Sequence, residues 1–230
     1  MSADLRPPAA VRADFDRIAL ATERARGADF EDDLYHDVLL RHVPRPCGAA
    51  LEVGCGAGGV TRRLAERADS VLGVDLSPEM IRIARERSAG LGNVEFRVAD
   101  WLAWEAPAEA FDCVASIATL HHLPVADAVR KMKRALRPGG TLLLLDLLHR
   151  PGVRGLPANV LAALVRRMRR VRRGRLLLPA ELRAAWNAHG RGETYPRMAE
   201  VRALCAAELP GADVREHLVW RWSAVWRKPA

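Results

Sequence analysis

Lysine is nearly missing from this 230-residue chain: three lysines stand beside 33 arginines. Arginine is therefore the default cation here, and a single arginine carries little meaning. The four cysteines, Cys47, Cys55, Cys113 and Cys205, include no CxxC pair and no histidine at ligand spacing. That excludes a disulfide framework and a structural zinc site, and leaves reduced, partly buried thiols. Long apolar runs are missing as well. The greasiest stretch, Leu142–Leu148, is interrupted by Asp146 and is far too short to cross a bilayer. Met1–Ala10 holds Asp4, Pro7 and Pro8 without the apolar centre of a signal peptide, so a cytoplasmic protein is expected. No internal repeat is present.

Half of the chain is apolar, enough for one sizeable α/β domain and incompatible with wholesale disorder. The formal charge of +8 is local: residues 166–175 carry seven arginines and no acid, and without them the balance is +1. A nucleic-acid-binding surface spread over the whole molecule is therefore not expected.

Two amphipathic helices are predicted at the start, about Val11–Arg26 and Glu31–His42, the second ended by Pro44 and Pro46. Short apolar runs then alternate with helical patterns. Ala50–Val53, Ser70–Asp75, Val94–Val98, Phe111–Ser116 and Thr141–Leu148 read as strands buried on both faces. Val60–Arg67, Pro78–Ser88 and Val125–Leu136 read as the helices between them. Ser77 before Pro78 supplies an N-cap with proline in the first turn. Such alternation predicts a doubly wound, mostly parallel sheet with helices on both faces. After the fifth strand the rhythm breaks into a Pro-, Gly- and Arg-rich insert at 151–192. A helix near 197–207 and a tail, Val214–Lys228, with a reversal near Val219–Arg221 follow. The tail adds an antiparallel hairpin, for seven strands in all.

The chemistry concentrates after the first strand, in Glu52-Val53-Gly54-Cys55-Gly56-Ala57-Gly58-Gly59. Glycines at such a bend let the backbone approach a ligand and aim free N–H groups of the helix start at it. Gly54, Gly56 and Gly59 satisfy GxGxxG, whereas Gly54, Gly56 and Gly58 satisfy GxGxG. Asp75, at the end of the second strand, suits the ribose hydroxyls of either cofactor type. A nicotinamide-dependent oxidoreductase is thus open at this point.

Further segments distinguish the two. Glu52-x-Gly54-x-Gly56-x-Gly58, Val74–Met80, Val98-Ala99-Asp100-Trp101, Phe111–Val114 with Ser116–Leu123, and Leu136-Arg137-Pro138-Gly139-Gly140 stand in order along the chain. Across about residues 35–148 the chain closely resembles the class I S-adenosylmethionine-dependent methyltransferase family. The resemblance implies that Glu52, Gly54, Cys55, Gly56 and Gly58 surround the methionine part and that Asp75 holds the ribose. It also implies that Leu76, Met80 and Trp101 flank the adenine, that Asp100 binds its amino group, and that Ile117 lies by the amino-acid end. It divides the chain into covering helices (1–46), an S-adenosylmethionine-binding core (47–150), an Arg-rich lid (151–192) and a completing helix and hairpin (193–230).

Methyl transfer from a sulfonium is an in-line displacement that chiefly needs alignment and dryness. A phenol or alcohol acceptor gains from a base, and His121, His122 and His149 are the candidates. His122 and Tyr35 are also expected at the acceptor. The fourth-strand end, Ser116-Ile117-Ala118-Thr119-Leu120-His121-His122, lacks the Pro-Pro-aromatic signature of base and amide methylation. Clustered Asp/Asn ligands for magnesium are absent too, so metal-free transfer to an O or N atom of a small molecule is expected. A natural-product or carrier-bound intermediate falls within that class. Val160, Leu161, Leu164, Val165, Met168 and Val171 form one helical face, expected to pack as a lid while Arg166–Arg175 faces solvent. The same run could instead dock an anionic partner or carrier protein, or serve an RNA or protein methyltransferase or a non-catalytic cofactor-binding subunit.

Overall fold

The computed structural model describes residues 6–25, 35–149, 156–172, 179–191 and 193–230, with side chains at 156, 166 and 169–172 outside the description. The parts of the first and second predicted helices that fall on 26 and 31–34 lie outside the described residues, as do Arg173 and Arg175.

The elements run α1 (Pro8–Arg24), α2 (His36–Leu40), β1 (Ala49–Val53), α3 (Gly59–Ala65), β2 (Ser70–Asp75), α4 (Pro78–Arg87), β3 (Val94–Val98) and β4 (Phe111–Ile117). They continue through α5 (Val125–Ala135), β5 (Leu136–Leu147), α6 (Leu156–Arg172), α7 (Ala180–Gly190), α8 (Met198–Glu208), β6 (Asp213–His217) and β7 (Arg221–Arg227). The seven strands form one sheet in the order β3-β2-β1-β4-β5-β7-β6, parallel except that β7 pairs antiparallel with both β5 and β6. The predicted doubly wound sheet with a C-terminal hairpin is therefore observed.

Local chemistry sets these elements. Ser77 caps α4, its Oγ accepting the Met80 N–H at 3.0 Å, with Pro78 in the first turn. The Asp112 carboxylate accepts N–H groups of Gly48 and Ala49 at 2.9 Å and pairs with Arg137 at 2.9 Å. This clamp draws together the starts of β1, β4 and β5, so both residues serve the sheet. β5 begins at Leu136, ahead of the predicted Thr141, through a bulge: Phe111 pairs with Leu136 and Cys113 with Thr141.

Each sheet face is covered. On one, Val114, Leu142, Leu144 and Trp222 pack with Val129 and Met132 of α5 and Val201 and Cys205 of α8. On the other, Ala50, Val71, Leu143 and Leu145 pack with Leu39, Leu40, Val60 and Leu64. A third cluster joins α1, α4 and α7 through Ile18, Ala19, Met80, Ile83 and Leu182. The four cysteines are free and buried, as expected.

The lid expectation needs correction. In α6 the buried residue is Ala162, while Val160, Leu161, Leu164 and Met168 are 50–61% exposed. Asn159 anchors the helix, its Oδ1 accepting the Trp220 indole N–H at 2.8 Å. Ala162 and Asn159 meet the protein, and the large apolar residues remain outside.

Truncation should separate the two environments. Leu144→Ala, in the fully buried middle of β5, is expected to lower unfolding free energy by about 2–5 kcal/mol in urea titration. Leu164→Ala is expected to change it by less than about 0.5 kcal/mol. A large loss at Leu164 would show that α6 packs through its apolar ridge.

Candidate active site

At the carboxyl end of β1 the chain turns through Gly54 and Gly56, both with positive φ (75° and 50°). The N–H groups of Gly54 and Cys55 donate to the Val74 carbonyl at 2.8 and 3.0 Å. The Gly56 N–H donates to Asp75 at 2.8 Å. A Cβ on Gly54 would sit 2.0 Å from the Thr119 hydroxyl, whereas one on Gly56 would meet nothing within 4 Å. The first glycine is needed for packing and the second leaves room for a ligand.

This turn forms one wall of a cavity of about 940 Å³. Glu52, Gly54, Cys55, Gly56, Asp75, Leu76, Met80, Asp100, Trp101 and Ile117 all line it. Asp75 also accepts the Ser77 N–H at 2.9 Å, and burial pushes its carboxyl up, with Asp16 adding to the rise. Asp100 accepts the Leu102 N–H at 2.9 Å. Buried Glu52 accepts a hydrogen bond from Thr61. The Cys55 thiol packs with Ile81, Ala84 and Phe96, so this residue offers the cavity its backbone.

Three expectations are not met. Gly58 does not line the cavity; a Cβ there would meet Phe96 at 2.9 Å, so this glycine serves the packing of α3 against the sheet. Tyr35 also lies off the cavity: its hydroxyl accepts the Val219 N–H at 3.1 Å and its ring stacks on His217. His149 is exposed beyond β5, its N–H donating to Pro196, and does not line the cavity.

Opposite the glycine turn lies a cluster of histidines and acids. His121 Nδ1 is 2.7 Å from Asp146, which also accepts the His121 and Leu147 N–H groups at 3.0 and 2.6 Å. With the carboxylate as acceptor, Nδ1 carries the hydrogen and Nε2 is the basic atom. His122 Nδ1 is 3.2 Å from Glu193, and its buried Nε2 has no hydrogen-bond partner among the described residues. His189 Nδ1 is 3.3 Å from Asp14. Arg6 closes the system, 2.7 Å from Asp14 and 3.1 Å from Glu193. Burial, with His121 and His189 adding to it, holds the His122 imidazole below its ordinary range despite Glu193. Burial also pushes Glu193 up, but His122 and Arg6 outweigh it and hold the carboxyl at about 2.

One ring nitrogen from each of His121, His122 and His189 lies within 4.8 Å of the others. With an acid beside each Nδ1, the cluster can hold and move protons. Sequence reading missed Asp146, His189, Glu193, Asp14, Arg6 and Phe15, which packs edge-on to His122 at 5.4 Å. Among these only Asp146 left a trace, as the one acid in an apolar strand.

Glu193 generates a pH prediction. Its folded pKa lies below the ordinary 4.5, so its contribution is complete above about pH 4.5 and is lost as pH falls towards 2. Glu193→Gln should remove that component from a plot of urea midpoint against pH. An unchanged acid slope would refute the pairing. Gly54→Ala should lower both stability and cofactor affinity, because the added methyl collides with Thr119; calorimetric titration checks the second effect.

Residues 50–140 match a family model described as a methyltransferase domain. An uncharacterized methyltransferase of Mycobacterium tuberculosis is 30% identical over 205 residues, covering 86% of this chain and 96% of that protein. Trans-aconitate 2-methyltransferase of Streptomyces avermitilis is 38% identical over 125 residues, covering 51% of this chain and 46% of that enzyme. The structure of the N-methyltransferase NodS from Bradyrhizobium japonicum, in complex with S-adenosylhomocysteine, superposes with a TM-score of 0.59 at 20% identity. It covers 93% of this chain and 100% of NodS. The glycine turn, the two strand-end acids and these likenesses agree: the chain belongs to the class I S-adenosylmethionine-dependent methyltransferases.

Proposed function

We propose that this enzyme moves the methyl group of S-adenosylmethionine to an oxygen or nitrogen of a small, largely apolar acceptor, with His121 as the base. The observation that carries this reading is the placement of His121, backed by buried Asp146, on the same cavity as Gly54, Gly56 and Asp75. Acceptor and donor must share one space for in-line displacement, and one cavity bears both sets of groups.

When bound, S-adenosylmethionine supplies the electrophilic methyl group. Glu52 would hold its amino-acid end, Asp75 its ribose and Asp100 its adenine, with Gly56 leaving room beside them. Leu76, Met80 and Trp101 supply apolar cover. Phe15, Ile18 and Trp186, brought by α1 and α7, line the cavity and exclude water. Asp146 fixes the His121 tautomer and favours the imidazolium formed when Nε2 takes the acceptor's proton, as the carboxylate does in Asp–His pairs generally.

Two measurements test this reading. Titration with S-adenosylhomocysteine should show one site, weakened at least about tenfold by Asp75→Ala or Asp100→Ala, with no response to NAD. S-adenosylhomocysteine release should then be followed over a panel of phenols, amines and carboxylates. On the acceptor that turns over, His121→Ala should lower kcat by about 10²–10⁴-fold while cofactor affinity stays within about twofold. Undiminished turnover would remove His121 from the role of base.

A further inference from the structure

The most exposed large apolar side chains of the described residues fall on one helix. In α6, Val160, Leu161, Leu164 and Met168 are 51%, 50%, 53% and 61% exposed. Their offsets of 0, 1, 4 and 8 place them along one ridge. The opposite side is committed to the protein through buried Ala162 and the hydrogen bond from Trp220 to Asn159. Nothing within the described chain covers the ridge.

Charge says what can cover it. Between Asp146 and Glu181 the sequence holds nine arginines and no acid. Five of them, at 166, 167, 169, 170 and 172, belong to α6, and Arg167 is exposed. At 100° per residue, positions 167 and 172 flank the ridge on either side, while 166, 169 and 170 fall towards the side of Ala162 and Asn159. A helix bearing an apolar ridge and cationic flanks, without an acid, matches a surface that is greasy at depth and negative at its rim. An anionic bilayer has that profile: the ridge enters the acyl boundary while arginines meet the headgroups. No helix among the described residues is long and apolar enough to span a membrane, so the helix would lie in the interface plane.

We infer that α6 docks this enzyme on an anionic lipid surface. Trp220, which bonds to α6, also lines the cavity together with Val219 and Arg221. The helix would then stand between the bilayer and the cavity rim, and the docking does not rest on the acceptor reading above.

Co-sedimentation of the full chain with vesicles tests it, comparing phosphatidylcholine alone with phosphatidylcholine mixed with phosphatidylglycerol. Binding is expected to the mixed vesicles, weakening as salt rises. Leu161→Asp with Leu164→Asp should reduce it about tenfold or more, and Arg167→Gln with Arg172→Gln should weaken it and flatten its salt dependence. Affinity for S-adenosylhomocysteine should remain within about twofold in both variants, which verifies their fold and separates this outcome from failure of the methyltransferase site. Equal binding to both vesicle types, binding to neither, or self-association abolished by the Asp pair without vesicle binding would overturn the inference.

Discussion

The stitch between the ends of β1 and β2 is the interaction on which the rest depends. Two N–H groups from Gly54 and Cys55 reach the Val74 carbonyl, and the Gly56 N–H reaches Asp75. The chain can make this turn only by passing through left-handed backbone, where a side chain would be strained. The turn holds the start of α3 back from the strand ends. It stands where the sheet order changes direction, with β1 leading outward to β2 and β4 leading the other way to β5. A cleft is unavoidable at such a switch point. Thr119, following β4, closes against Gly54 and sets the width of the cleft.

The second organising feature is electrostatic. Three carboxylates and three imidazoles are buried together, an arrangement that is costly unless each charge has a partner. Asp146 is matched by two backbone N–H groups and His121, and lies below the usual carboxylate range despite its burial. Glu193 and Asp14 share Arg6 and take one imidazole each. The acids hold every Nδ1, so the opposite ring edges remain for chemistry. The contributors come from α1, the segment after β4, β5, α7 and the segment before α8. The cavity therefore assembles only when the helices added to the sheet have docked.

The helices outside the sheet divide these tasks. α1 turns Val11, Phe15 and Ile18 towards the cavity and packs against α4 and α7. Its Asp16 also takes the Ser77 hydroxyl at 2.5 Å, tying it to the cap of α4. α6 does the reverse, burying Ala162 and leaving its bulk outside. Periodicity alone marks an apolar face; it cannot say whether the molecule's own core or something else will cover it.

The sheet and the donor half of the cavity were legible in the sequence because they depend on local rules. A strand buried on both faces must be continuously apolar, and a ligand-facing bend must be glycine. An acid at a strand end sits where open sheets bind ligands. Those rules pointed to Gly54, Gly56 and Asp75, which line the cavity together with Asp100, singled out by the family resemblance, and they pointed to the hairpin of the tail. Gly58 misled because a glycine demanded by Phe96 looks the same in sequence as one demanded by a ligand. Tyr35 and His149 misled because a position near a strand end or in a covering helix does not fix the direction of a side chain. The acceptor half was decided by tertiary structure alone. Asp14, His121 and Glu193 meet across more than a hundred residues, and their pairing exists only because folding removes water from all of them at once.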